Sequence, residues 1–246
     1  MMWISLKSVI ITGVGCIDSN LGGGILPDAI TMVYGEPETG KSTLAIQSAV
    51  SCALQGKKVL YIDCDNTFSA TRLEQLAYGR FNEIAEFIIL MKPENFDQQM
   101  AILDNLADYI TKNFGLVVID TFNSLYRAKV AESSIKASFQ LNRELNRQMA
   151  SLAQIAKTQH IPIFVTSQVR SIFDDSHINV APVATRVLEF WAEATIALHP
   201  TENSQIIKVT ITQKQEKSSE KNRNTQEPTC YLRITETGLH DYEPSY

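Results

Sequence analysis

The chain has 246 residues, 44% of them apolar and 20% charged, with a net charge of −5. This is enough apolar chain for one large α/β domain and argues against wholesale disorder. The acidic balance argues against a protein that holds nucleic acid by overall charge alone. No apolar run approaches the ~20 residues of a membrane-crossing helix, so a cytoplasmic chain without membrane contact is expected.

In chain order, the apolar N-terminus, residues 1–10, reads as a strand, and Gly22, Gly23, Gly24 and Pro27 mark a turn-rich approach to the next one. Ile30 to Tyr34 is an apolar, β-branched run that predicts a strand. Gly35, Gly40, Lys41 and Ser42 then fit the G-x-x-x-x-G-K-[ST] phosphate loop, and Leu44, Ala45, Ala49 and Ala53 lie roughly on one face of a following helix. Strand, loop and helix in that order are the context this motif needs.

Lys57 to Asp63 predicts a second buried strand, Ser69 to Tyr78 a short helix capped by Ser69, and Glu86 to Met91 a third strand. Phe96 to Asn113 reads as a helix, Leu116 to Asp120 as a fourth strand, and the polar residues to about 136 as loop. A long helix follows to Gln159, with Leu141, Leu145, Met149, Leu152 and Ala156 at core spacing. Ile161 to Thr166 is a further strand and 171–185 a loop. The tail reads as short strands broken by a polar run. The expected fold is a mostly parallel twisted sheet flanked by helices, with antiparallel C-terminal strands. Residues 1–246 read as a single domain.

The chemistry follows from the residue types. Backbone N–H groups of Gly35, Glu36, Pro37, Glu38, Thr39 and Gly40 (proline excepted) would line a concavity for phosphate oxygens, and the helix start adds the positive end of its dipole. Lys41, expected to be exposed, would reach the β- and γ-phosphates. The Ser42 hydroxyl would ligate Mg²⁺, with Thr43 beside it. Asp120, closing an apolar strand, is the Walker B position and the second expected Mg²⁺ ligand. Asp63 and Asp65 close another strand, where one of them could activate water while the other is structural. Gln168, after a strand, could contact the γ-phosphate. Lys136, Arg143 and Arg147 share a face of the long helix; with Arg127 and Lys129 they could touch a phosphate backbone, or form a solvated face. Tyr126 could stack on a base or pack under the loop. Cys16, Cys52, Cys64 and Cys230 lack C-x-x-C spacing and read as buried or inert thiols rather than a disulfide framework.

The order of motifs resembles the core ATPase domain of the RecA superfamily, and within it the archaeal RadB group of recombinase paralogues. The resemblance rests on residues 11–45, on YIDCDNTFSATRL, on LVVIDTFNSLYR, on PIFVTSQV and on YLRITETGL. It implies a RecA-like P-loop NTPase fold, binding of ATP and Mg²⁺, and a role in DNA recombination and repair beside a main recombinase or by self-association. By position, Asp65 falls where the family has its catalytic glutamate, Arg72 where an arginine packs on adenine, and Gln168 on the γ-phosphate sensor. Residues 127–137 and 169–185, with Arg170, match the two DNA-facing loops, and single-stranded DNA is the implied partner. Lys214 and Lys217 fall where some relatives reach a neighbour's nucleotide.

The departures shape the expectation. Cys64-Asp65-Asn66 replaces T-E-G, and a carboxylate one methylene shorter predicts slow turnover. An N-terminal DNA-binding domain and an aromatic-x-x-small polymerisation motif are not found. A KaiC-like signalling ATPase, or an ATP-switched protein-binding module without a DNA role, is the alternative.

Overall fold

Apolar β-branched runs build the centre of the sheet because alternate side chains enter two different cores. In the strand Lys58–Asp63, Val59 and Tyr61 face one core and Leu60 and Ile62 the other; in Phe114–Asp120, Leu116 and Val118 part in the same way from Val117 and Ile119. Such strands read as continuous hydrophobic runs because both faces are covered.

The structure is a computed structural model that describes residues 9–168, 180–214 and 228–243, with backbone alone for 180–185. Its elements in chain order are α1 Gly15–Asn20, β1 Ile30–Gly35, α2 Lys41–Leu54, β2 Lys58–Asp63, α3 Ala70–Leu76, α4 Phe81–Ile84, β3 Ile88–Met91, α5 Phe96–Asp104, α6 Leu106–Tyr109, β4 Phe114–Asp120, α7 Ser124–Ala131, α8 Ile135–Gln159, β5 Ile163–Gln168, α9 Val180–Trp191, β6 Ala194–Pro200, β7 Ile206–Gln213, β8 Thr229–Thr235 and β9 Gly238–Tyr242. The strands form one sheet in the order β3-β2-β4-β5-β1-β6-β7-β8-β9, parallel from β3 to β6 and antiparallel from β6 to β9. The expected mostly parallel sheet with an antiparallel tail is what the chain forms.

Helix α2 packs on one face of the sheet, and α5, α7 and α8 pack on the other. Ser69 caps α3 by accepting the Arg72 N–H at 3.1 Å, as its sequence position predicts.

Several local expectations are corrected. The helix expected over 96–113 divides at Asn105, whose side-chain amide turns back to the Ala101 carbonyl at 2.8 Å. Residues read as loop after Asp120 contain α7, anchored by Tyr126 and Val130 in the core. A helix not foreseen in the sequence, α1, precedes the Gly22–Pro27 turns, which form as expected; it is braced by Asp241, which accepts the N–H groups of Gly15 and Cys16, each at 2.9 Å. Part of the loop expected over 171–185 is helical from Val180. Residues 1–8, expected as a strand, lie outside the described residues.

Cys16 and Cys230, expected as free thiols, form a disulfide that ties α1 to β8. Spacing could not signal a pair separated by 214 residues; adjacency comes from the sheet order, which folds the C-terminal strands against the N-terminal segment. The other two cysteines are buried thiols: burial pushes Cys52 up to about 12 and Cys64 well above its ordinary value, so neither is a nucleophile.

Candidate nucleotide site and candidate DNA face

Strand register gathers the candidate site. Gly35 of β1 pairs with Gln168 of β5, and Asp63 of β2 pairs with Asp120 of β4. The four residues stand at the carboxyl ends of parallel strands, where open α/β sheets bind ligands.

The loop from Gly35 to Lys41 is closed on itself. The Glu36 carbonyl accepts from Thr39 Oγ1 at 2.9 Å and from Lys41 Nζ at 2.5 Å, while Pro37 and Glu38 are exposed at its crest. Two glycines are sterically required. A Cβ on Gly35 would stand 2.4 Å from the Leu198 carbonyl oxygen, and Gly40 has φ +88° with Leu239 against its open side. The glycines let the loop pack tightly against β6 and β9, and a tight backbone turn of this kind leading into the start of a helix fits a phosphate group.

Lys41 is buried at the first position of α2, which corrects the expectation of an exposed loop lysine. Burial lowers its pKa below the ordinary lysine value, against the opposing fields of Asp120, Asp65 and Glu36. The Ser42 hydroxyl lies close enough to Asp120 to favour its charged form. Asp120 accepts from Tyr61 Oη at 2.8 Å and from the Thr166 hydroxyl. Burial raises its carboxyl above the ordinary range although these three hydroxyls lower it. A hydroxyl and a carboxylate held together at a phosphate cradle are the hard oxygen donors that Mg²⁺ takes, so Ser42 and Asp120 fit the metal.

Arg72 donates from Nη2 to Thr43 Oγ1 at 3.2 Å and from Nη1 to the Glu236 carbonyl at 2.7 Å and Gln75 Oε1 at 3.0 Å. It links α3, the phosphate-loop helix and the β8–β9 turn. Gln47 supports that turn from below: its amide donates to the Leu239 carbonyl at 3.0 Å and accepts the Leu239 N–H at 2.9 Å.

The two aspartates after β2 part in role. Asp63 is buried and accepts the N–H groups of Thr67 and Phe68, each at 3.0 Å, with Lys92 Nζ 3.4 Å away. Its carboxylate is thereby committed to the turn. Lys92 also donates to Asn66 Oδ1 at 2.9 Å. Asp65, in that braced turn, is exposed, and its field reaches Lys41 and Asp120. Gln168 is half-buried, and its main chain exchanges two hydrogen bonds with the Asn123 side chain, each at 3.3 Å.

Tyr61, Thr166, Asn123, Lys92 and Gln47 were invisible to motif reading. Tyr61, two residues before Asp63, carries no signal beyond a strand residue; its value lies in pairing across β2 and β4.

The expected DNA contacts scatter. Tyr126 is fully buried, packs edge-on against Phe96 at 5.8 Å between ring centroids, and donates to Asn142 of α8. It is a core residue and presents no face for a base, which corrects the stacking expectation. Lys129 is paired with Asp97 at 2.9 Å, and Arg147 with Asp104 at 2.7 Å and Glu144 at 2.6 Å. Arg127 is half-buried on α7. Lys136 and Arg143 are exposed on α8, with no ion pair or hydrogen bond among the described residues. Arg170 and Lys217 lie outside the described residues. Lys214 donates to the Phe190 carbonyl at 2.5 Å, at the end of β7 that pairs with the start of β6, away from the phosphate loop.

A strand–loop–helix phosphate cradle on a parallel sheet, with a buried aspartate closing a nearby strand, defines a RecA-like P-loop nucleotide-binding domain. A family model described as Rad51 matches residues 6–241, and the chain belongs to the Rad51 family. It is 32% identical over 231 residues to the DNA repair and recombination protein RadB of Methanococcus maripaludis, covering 94% of this chain and 99% of that protein. It is 34% identical over 236 residues to the protein of the same name from Thermococcus kodakarensis, with 94% and 99% covered. A crystal structure of the RadB recombinase superposes with a TM-score of 0.74 at 32% identity, covering 96% of this chain and all of that one.

Proposed function

We propose that the chain is a single RecA-like ATPase domain that binds ATP and Mg²⁺, hydrolyses ATP slowly, and acts on single-stranded DNA in recombination and repair as an accessory to a main recombinase. The observation that carries the reading is the meeting of Lys41, Ser42, Asp120 and Gln168 at one edge of the sheet, with Asp65 on a braced turn beside them. The relatives' shared name supplies the recombination setting.

In this reading the loop N–H groups and Lys41 hold the β- and γ-phosphates, and Lys41 exchanges its bond to Glu36 for a phosphate oxygen. Ser42 and Asp120 hold Mg²⁺, which neutralises charge on the phosphates when bound. Asp65 accepts the proton of the attacking water. Arg72 stands at the adenine side, and Gln168 meets the γ-phosphate.

The test is ATP binding and steady-state hydrolysis with oligo(dT) retention, with and without ATP. Lys41→Ala should lose ATP binding by at least tenfold. Asp65→Asn should keep ATP affinity and lose turnover by about 10²-fold or more, the scale of a positioned base. Lys92→Ala should lower kcat with ATP affinity unchanged, because it loosens the turn that holds Asp65. Unchanged turnover in Asp65→Asn would remove that residue from the chemistry. No DNA retention at low salt in either nucleotide state would defeat the DNA role.

A further inference from the structure

Helix α8 exposes two large apolar side chains one turn apart near its start: Ile135 is 70% and Phe139 is 66% exposed. Scattered exposed hydrophobes need no explanation, but these lie among cations that make no ion pair among the described residues. Lys136, Phe139 and Arg143 are spaced i, i+3 and i+7 and share a face with Ile135, set roughly a third of a turn round the helix from the face that buries Leu145, Met149, Leu152 and Ala156. Glu144 is the only acid within α8 and is bound to Arg147, so the face carries net positive charge. Lys136 and Arg143 stand about 10.5 Å apart along the axis at 1.5 Å per residue, with Phe139 between them.

We propose that Phe139 is a base-stacking platform for single-stranded DNA, with Lys136 and Arg143 holding the phosphates on either side and Ile135 extending the apolar floor. The assignment rests on the DNA reading above and replaces Tyr126, whose ring is buried, with an aromatic ring that a base can reach. A flat apolar ring between cations suits a polyanion with exposed base faces. A duplex hides those faces, so single strands are the matched ligand. An apolar protein helix would leave the two cations without partners.

The test uses the full chain and a fluorescent oligo(dT) in low salt with ATP. Phe139→Ala should weaken binding between about fivefold and 150-fold, the range of one base–aromatic stack. Its melting temperature should not move, because the side chain is exposed. Phe139→Trp should restore binding. An abasic oligonucleotide should bind the wild type and Phe139→Ala equally, since the base is the partner that has gone. Lys136→Ala and Arg143→Ala should each flatten the salt slope by about 0.7, one single-strand phosphate, whereas Phe139→Ala should leave the slope alone. Unchanged oligo(dT) affinity in Phe139→Ala, beside losses in the two cation variants, overturns the stacking proposal and leaves the DNA reading intact. Wild-type protein that never binds DNA overturns both. If Phe139→Ala keeps DNA affinity but abolishes concentration-dependent self-association, the face is an interface between copies and the proposal is wrong.

Discussion

Replacing Tyr126 separates its place in the core from a role in touching DNA. The ring is fully buried against Phe96, and its hydroxyl joins α7 to Asn142 of α8. Burial of about 200 Å² of aromatic side chain at ~25 cal/mol per Å² is worth about 5 kcal/mol. Alanine keeps only a small part of that, so Tyr126→Ala should lose roughly 3–5 kcal/mol including the cavity term. In a chain of this size ~1 kcal/mol moves Tm by about 2–4 °C, which puts the loss between about 6 and 20 °C. Tyr126→Phe keeps the ring and forfeits the hydrogen bond, for roughly 1 kcal/mol. Calorimetry on both variants, with oligo(dT) binding measured well below the lower Tm, makes the comparison. Tyr126→Ala with an unmoved Tm and weakened DNA binding would refute the core placement and return the residue to the DNA face.

Two further outcomes follow from the charges and the cross-link. Because burial lowers the Lys41 pKa, the folded chain binds fewer protons there than the unfolded chain as pH climbs towards the ordinary lysine value. Without nucleotide this group therefore adds stability with rising pH, while ATP affinity falls as the ammonium is lost; Lys41→Met should show neither trend, and a wild-type affinity flat to the ordinary lysine pKa would contradict the burial argument. The Cys16–Cys230 cross-link closes most of the chain, so dithiol reductant or Cys16→Ser should lower Tm by the equivalent of about 2–5 kcal/mol, and the Ser variant should no longer respond to reductant; an oxidised wild type whose Tm ignores reductant would sink this expectation.

The sequence exposed what depends on local order. Gly35 to Ser42 is a contiguous motif flanked by periodic strand and helix, and Asp120 ends an apolar run; both are legible because one short segment dictates the geometry. What it hid depends on pairing between segments. Nothing near Tyr61 announces a hydrogen bond to Asp120, which register between β2 and β4 creates. Nothing near Cys16 points to Cys230. The burial of Lys41 is hidden for the same reason: its ammonium folds back on the Glu36 carbonyl of its own loop and lies in the fields of Asp120 and Asp65, which other strands bring up. The basic residues of α7 and α8 were visible as charge, but the acids that cancel Lys129 and Arg147 come from α5 and from the preceding turn of α8.

The two candidate faces are physically contiguous. Gln168, where a γ-phosphate would be met, is tied through its main chain to Asn123. Asn123 is the residue at which α7 begins, and it accepts the Arg127 N–H at 3.1 Å. Three residues on, Tyr126 bonds Asn142, which adjoins Arg143 on the exposed face of α8. Each link joins short polar groups that are buried or half-buried, so displacement at one end is opposed by hydrogen bonds rather than by solvent. Contiguity is not coupling, which needs an element with two arrangements whose balance both sites bias. Helix α7 occupies the position such an element would need: it is eight residues long, it lies between the strand that carries Asp120 and the helix that carries Phe139, and both side-chain links, Asn123 and Tyr126, fall in or just before its first turn. Tyr126 and Val130 sit in the core, so any shift of α7 that begins at Asn123 must be met by repacking of those two side chains against the sheet and α8.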